Sequence, residues 1–291
     1  MHGAITVNRL GFVGLGAMGA GMAGQLLAKG FALSVHARQP SVAQAWAGRG
    51  VPVLASPAGL ARSCEAVVLC VTDAAAVREI LFGPEGLVQA GGPLRYVIDC
   101  SSIGADDARE FARRLRAQGI DFLDAPVSGG PEGARQGTLA CMVGGDAQAF
   151  EACRAVLAAF SRQVTRIGDS GAGQVCKSCN QVAVLSNLLG VANIVGLCRQ
   201  SGIDPQRVRT VLLDSSGSSQ VLRVHAQRLI DGDFAARFRA ELMLKDVGLA
   251  SALEQACGVE GWATSIAGPL LAQLVEAGLG GLDWTAIGRS A

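Results

Sequence analysis

The chain has 291 residues, half of them hydrophobic, enough to bury a full core and, at the usual domain size, to form two domains. A formal net charge of +1 offers no basic face, so nucleic acid is not an expected partner. No uncharged apolar run reaches the roughly 18 residues of a membrane span; the richest stretch, 182–197, is interrupted by Ser186, Asn187 and Asn193, and no membrane association is expected.

The first element is a buried strand over 10–13, which leads into Gly14-Leu15-Gly16-Ala17-Met18-Gly19. The three glycines stand in G-x-G-x-x-G register, and Met22, Leu26 and Leu27 then repeat at helical spacing. Strand, glycine turn and helix are the context a dinucleotide-binding fingerprint needs. Gly14 permits the tight turn, Gly16 lets the backbone approach a pyrophosphate, and Gly19 allows the helix to pack closely on the strand. The helix N-terminus offers free N–H groups and partial positive charge to the phosphates. Residues 31–37 alternate as a second strand. An NAD-preferring site places an acid at the end of that strand, for the ribose 2′-hydroxyl. Arg38 stands there instead, suited to gripping a 2′-phosphate. NADP is therefore the expected cofactor, with NAD the alternative.

Residues 51–54 read as a short third strand and 66–71 as a fourth without a polar residue, as for a parallel strand covered on both faces. Thr72 and Asp73 follow at its carboxyl end, where ligands of open α/β sheets sit, and Cys70, Val71 and Ala75 are cofactor-binding candidates. A fifth strand, 96–100, runs into Ser101-Ser102. Alanine-rich segments of helical length, 42–48, 74–81 and 105–118, lie between these strands. Strands over 122–127, 139–143 and 164–167 complete the sheet, and from Gly171 onward every element reads as helix. The expected fold is α/β: a Rossmann-like, doubly wound parallel sheet over 1–167 and an all-α domain over 168–291. A long, mostly apolar helix over 175–200 needs burial on several sides, either between the domains or in a subunit interface, and a homodimer or homotetramer is expected.

Nine scattered cysteines, mostly within apolar runs, suggest reduced thiols rather than a disulfide framework. With no charged start and apolar core at the N-terminus, a cytoplasmic location is expected. Cys176-x-x-Cys179 lacks a second ligand pair for a metal, so both thiols are expected to face the core and no metal is expected. Between them Lys177 is the one charge near the start of the long apolar helix, with Asn180 and Gln181 one turn on. Such an ammonium is either a capping-turn lysine pointing to solvent or part of a site.

Four segments in order resemble the β-hydroxyacid dehydrogenases, the 3-hydroxyisobutyrate dehydrogenase family. Gly14 to Gly19 with Met22-Ala23 looks like that family's opening, and Asp124-Ala125-Pro126-Val127-Ser128-Gly129-Gly130 like its substrate-binding motif. Residues 171–180 resemble its catalytic helix, G-x-G-x-x-x-K-x-x-N. Phe238 and Leu244-Lys245-Asp246-Val247-Gly248-Leu249-Ala250 resemble its late K-D-x-x-L-A segment. Within the family, 173–177, 237–239 and 283–286 look most like the branch that reduces tartronate semialdehyde; reductases of succinic semialdehyde or glyoxylate and 3-hydroxyisobutyrate dehydrogenase itself are the alternatives. The resemblance implies that Lys177 is the general acid and that Asn180 holds the substrate or the lysine. It implies that Ser128, Gly129 and Gly130 grip a substrate carboxylate, with Phe238 and Asp246 nearby. Ser102, where the family usually has threonine, and Lys245 would meet the cofactor. Imine reductases and non-catalytic NADP-binding scaffolds share the fold and usually lack the lysine, so Lys177 and Asn180 argue for a reductase of small carboxylate substrates.

Overall fold

The computed structural model describes residues 7–289 and divides into two compact units, Met1–Lys177 and Ser178–Ala291. The first unit is a sheet wrapped by helices. Its strands are β1 (Arg9–Val13), β2 (Ala32–His36), β3 (Ala66–Leu69), β4 (Tyr96–Asp99), β5 (Asp121–Asp124), β6 (Val127–Ser128), β7 (Leu139–Gly144) and β8 (Ser161–Gly168). The helices between them are α1 (Gly19–Ala28), α2 (Pro40–Ala47), α3 (Pro57–Ser63), α4 (Ala74–Phe82), α5 (Ala105–Arg116), α6 (Gly130–Gln136) and α7 (Ala147–Phe160). α8 (Ala172–Gln200) begins in this unit and continues into the next.

The strand order is β2-β1-β3-β4-β5-β7-β6, with β8 on β7. Side chains alternate between the two faces, as the two-residue period of a strand demands. Leu10, Phe12, Val68, Ile98 and Leu123 face one core with Met22 and Leu26 of α1 and Phe150 and Leu157 of α7. Val13, Val67, Leu69, Val97 and Phe122 face the other with Leu60 of α3, Leu81 of α4 and Phe111 of α5. Asp73 and Asp146 cap α4 and α7 through their carboxylates. Strand order reverses between β1 and β3, and ligands of open α/β sheets bind outside the carboxyl ends at such a point.

The fold class is the expected one, with local differences. Residues 51–54 contribute only a single bridge, Val53 to Val35, because Pro52 has no N–H for a ladder and Pro57 already opens α3. The expected strand over 122–127 breaks at Ala125-Pro126 into β5 and β6. β7 pairs antiparallel with both, so the sheet is parallel from β2 to β5 and mixed beyond. The ten residues between β6 and β7 are fewer than the dozen or so a parallel crossover requires.

The second unit is helical: the rest of α8, then α9 (Pro205–Leu213), α10 (Gln220–Asp231), α11 (Ala240–Ala256), α12 (Trp262–Glu276) and a 3₁₀ turn over Trp284–Gly288. Its described residues contain no strand beyond an isolated Arg239–Asp283 bridge. Leu185, Leu188, Val191 and Val195 of α8 pack with Leu222, Met243, Leu271 and Trp284 into one core. At 29 residues and a mean hydropathy of 1.7 over its most apolar 18, α8 is long and apolar enough to cross a membrane by length and composition. Its buried row lies in that core, as in the interior helix of a helical bundle.

Candidate active site

In the first unit the glycine turn joins β1 to α1. Gly14 has φ +95°, and a Cβ there would collide with the Cys70 carbonyl oxygen, so the turn lies directly against the end of β3. Gly16 is exposed, and a Cβ on it would meet nothing within 4 Å. Leu15 and Met18 are half-buried and Ala17 is exposed. α1 has no side-chain cap and no acid in its first turn; the Ala20 N–H donates to Gly16 O at 2.9 Å, and the absence of an acid leaves the positive end of the helix to an anion. This cradle fits a dinucleotide pyrophosphate. Gly19 is buried in the packing of α1 on β1.

Arg38 is exposed just after β2, whose last residue, His36, is in register with Val13 before the turn. Burial pushes the Cys70 thiol up to about 12, so it is inert at neutral pH. The Val71 N–H donates to Ser101 Oγ at 2.9 Å, which joins the ends of β3 and β4. Ala75 is exposed in the first turn of α4, and Ser102 is half-buried beside Ser101.

The candidates for substrate binding and catalysis in this unit lie around β6 and the start of α8. Ser128 ends β6, Gly129 (φ +134°) caps α6, and Gly130 (φ +68°) opens it. Lys177, half-buried on α8, donates from Nζ to the Val127 carbonyl at 3.0 Å. This ammonium therefore lies against the backbone next to Ser128, not out in solvent. Asp124 is fully buried at the end of β5 and accepts from Gly171 N at 2.8 Å and Gln174 N at 3.0 Å. Burial pushes its carboxyl up to about 6, partly offset by these N–H groups.

In the second unit Asn180 donates to Gln181 Oε1 at 2.8 Å, and Gln181 Nε2 donates to Asp246 Oδ2 at 2.8 Å. Asp246 is buried and pairs with Lys245 Nζ at 3.1 Å. The run Asn180–Gln181–Asp246–Lys245 is thus one connected polar network. Phe238, half-buried, is held through its N–H by Asp283 Oδ2 at 3.0 Å.

Sequence reading placed Gln181 beside Lys177 without a role and left out Gln174 and the capping use of Asp124. Gln174 and Gln181 are two buried amides seven residues apart in an apolar helix, a signal that marks polar partners on one face. The cysteine expectation is corrected: Cys179 is exposed and Cys176 half-buried, because α8 turns the former away from its packed side. The described residues hold no His, Cys, Asp and Glu cluster suited to a metal.

The profile of the NAD-binding domain of 6-phosphogluconate dehydrogenase matches residues 9–168, and that of the NAD-binding region of NADP-dependent 3-hydroxyisobutyrate dehydrogenase matches 171–290. The chain is 37% identical to 2-hydroxy-3-oxopropionate reductase of Escherichia coli (strain K12) over 83% of its own length and 82% of that protein's. It is 36% identical to a Pseudomonas aeruginosa 3-hydroxyisobutyrate dehydrogenase, covering 85% of each. A Mycobacterium tuberculosis 3-hydroxyisobutyrate dehydrogenase solved with L-serine superposes with a TM-score of 0.87 at 30% identity, over 98% of this chain and 99% of that one. With both profiles matched in order along nearly its whole length, the chain belongs to the β-hydroxyacid dehydrogenase family, NAD(P)-dependent oxidoreductases of CH–OH groups.

Proposed function

We propose that the protein reduces a short semialdehyde or oxo-acid to its hydroxyacid, prefers NADPH, and takes 2-hydroxy-3-oxopropionate as its first-choice substrate. The observation that carries this reading is the 3.0 Å hydrogen bond from Lys177 Nζ to Val127 O, which sets an ammonium one residue from Ser128-Gly129-Gly130. The bound nicotinamide supplies hydride to the carbonyl carbon. Lys177 stabilises the charge that builds on the carbonyl oxygen and donates the proton that completes the hydroxyl. The Ser128 hydroxyl and the N–H groups of Gly129 and Gly130 hold the carboxylate. Asn180, steadied by Gln181, orients the substrate, and Phe238 and Asp246 serve the same end. The glycine turn, Val71, Ala75, Ser102 and Lys245 hold the dinucleotide, and Arg38 binds its 2′-phosphate. The dinucleotide-binding domain in this reading ends near residue 167, and the working form is a homodimer or homotetramer in the cytoplasm.

The Escherichia coli relative's name supports the choice of substrate. The test is a spectrophotometric screen of the purified protein with NADPH and NADH. The panel is 2-hydroxy-3-oxopropionate, succinic semialdehyde, glyoxylate and methylmalonate semialdehyde. Turnover of the first with the highest kcat/KM is expected. No turnover of any member, with NADPH still bound, would overturn this choice of substrate class.

A further inference from the structure

The start of α8 is held in an unusual way. A helix leaves its first N–H groups without partners, and the residue just before it commonly caps them. Here that residue is Gly171, which has no side chain. The cap comes instead from Asp124 on β5, 47 residues earlier, whose two oxygens take Gly171 N and Gln174 N. Gln174 is itself buried, and its amide reaches the loop after β4. Its Nε2 donates to Ser101 O at 2.8 Å, and its Oε1 accepts from Ile103 N at 3.2 Å. Ser101 in turn accepts from Val71 N and donates its own N–H to Asp99 Oδ1 at 3.0 Å. Hydrogen bonds thus tie the carboxyl ends of β3, β4 and β5 to one helical turn.

That junction has no slack. A Cβ on Gly173 would lie 2.5 Å from Met142 O and would collide with Asp124 O. A Cβ on Gly144 of β7 would lie 2.5 Å from Asp124 Oδ1 and 2.8 Å from Gly173 N. The helix can neither slide nor rotate without breaking a bond or striking backbone. Lys177 follows Gln174 by three residues and shares its side of the helix.

We propose that Asp124 and Gln174 are positioning residues, which fix the rotation and height of the first turn of α8 and thereby aim the Lys177 ammonium at the reacting oxygen. This rests on Lys177 being the proton donor. Burying a carboxylate in this place opposes folding, and burial accordingly pushes its pKa up to about 6. Alignment of a proton donor gives the charge a use, because a misplacement of about 1 Å can lower turnover by about a hundredfold.

The test compares Asp124→Asn, Gln174→Met and Lys177→Ala, singly and combined, with NADPH and the panel substrate that is turned over. Each positioning variant is expected to lower kcat by about ten- to a hundredfold with KM and cofactor affinity nearly unchanged. In the Lys177→Ala background neither should cause a further loss, since there is no ammonium left to aim. Amide hydrogen exchange, which needs no turnover, should quicken at 171–178 and stay unchanged at 185–195. Unchanged kcat, or a loss of full size in the Lys177→Ala background, would overturn the proposal and leave a structural cap. An active Lys177→Ala enzyme removes the proton-donor reading and this proposal with it, whereas a dead one beside wild-type-like Asp124→Asn and Gln174→Met removes this proposal alone. If Asp124→Asn does not fold, Gln174→Met decides, because it leaves the Asp124 cap in place.

Discussion

Replacing Gly16 by alanine should weaken cofactor binding while leaving the fold as stable as before, or more so. A Cβ at Gly16 meets nothing within 4 Å, and Gly16 is not among the glycines with positive φ. Alanine at a compatible position gains about 0.4–1 kcal/mol by restricting the unfolded chain. In the proposed cofactor site the same methyl would stand where the backbone approaches the pyrophosphate. A hydrogen bond to a charged group contributes about 1.5–3 kcal/mol, so losing one raises Kd about ten- to a hundredfold. Gly14→Ala is the contrasting variant. Its φ of +95° adds roughly 1–2 kcal/mol of strain, and its Cβ collides with the Cys70 carbonyl, so the fold itself should weaken. Calorimetric unfolding and titration with NADPH and NADH measure both quantities. A Gly16→Ala protein that binds both cofactors within about twofold of wild type would refute the close approach at this turn.

Lys177→Ala should lose about a hundred- to ten-thousandfold in kcat with NADPH affinity retained, and Lys177→Arg should not restore it, because a guanidinium holds its proton; stopped-flow assays decide. Arg38→Ala should raise the KM for NADPH much more than that for NADH, and equal effects would mean that the arginine misses the 2′-phosphate. Asp124 makes stability depend on pH. Its carboxyl is raised from 3.8 to about 6 in the fold, so the folded state holds the proton more tightly than the unfolded one. Wild-type stability relative to Asp124→Asn should therefore be highest below pH 3.8 and fall by about 3 kcal/mol as pH rises through about 6, measured by urea unfolding; a flat difference would refute it. Leu197, on α8, is 67% exposed, and light scattering at micromolar concentration should find a dimer or larger, a strict monomer counting against burial of this helix between subunits.

The parallel sheet was legible because its strands are short apolar runs such as Ala66–Leu69, buried on both faces. The glycine turn and Lys177 were legible because spacing and isolated charge are local signals. α7 passed unnoticed in the sequence although Asp146 caps it and Phe150, Val156 and Leu157 repeat along one side. The antiparallel tail escaped because 122–127 reads as one continuous strand, while the chain breaks it at Ala125-Pro126 and builds the short α6 before β7. The junction at Asp124 left no local trace at all. Its partners lie 47 and 50 residues away, so only the folded arrangement joins β5 to α8.

The placement of Lys177 bears on how chains of this kind can be recombined. The first compact unit does not stop where the first profile match does, at residue 168, but runs on to Lys177. A chimera joined at 168 would take Lys177, both glycines of the 171–173 turn and the amides that satisfy Asp124 from the donor of the helical half. The acceptor would keep a buried carboxylate matched to another protein's backbone. A junction after Lys177 leaves that interlock within one parent and exchanges only the chain from Ser178 onward, Asn180 included. Recombination libraries cut at the two places should therefore differ sharply in the fraction of active members.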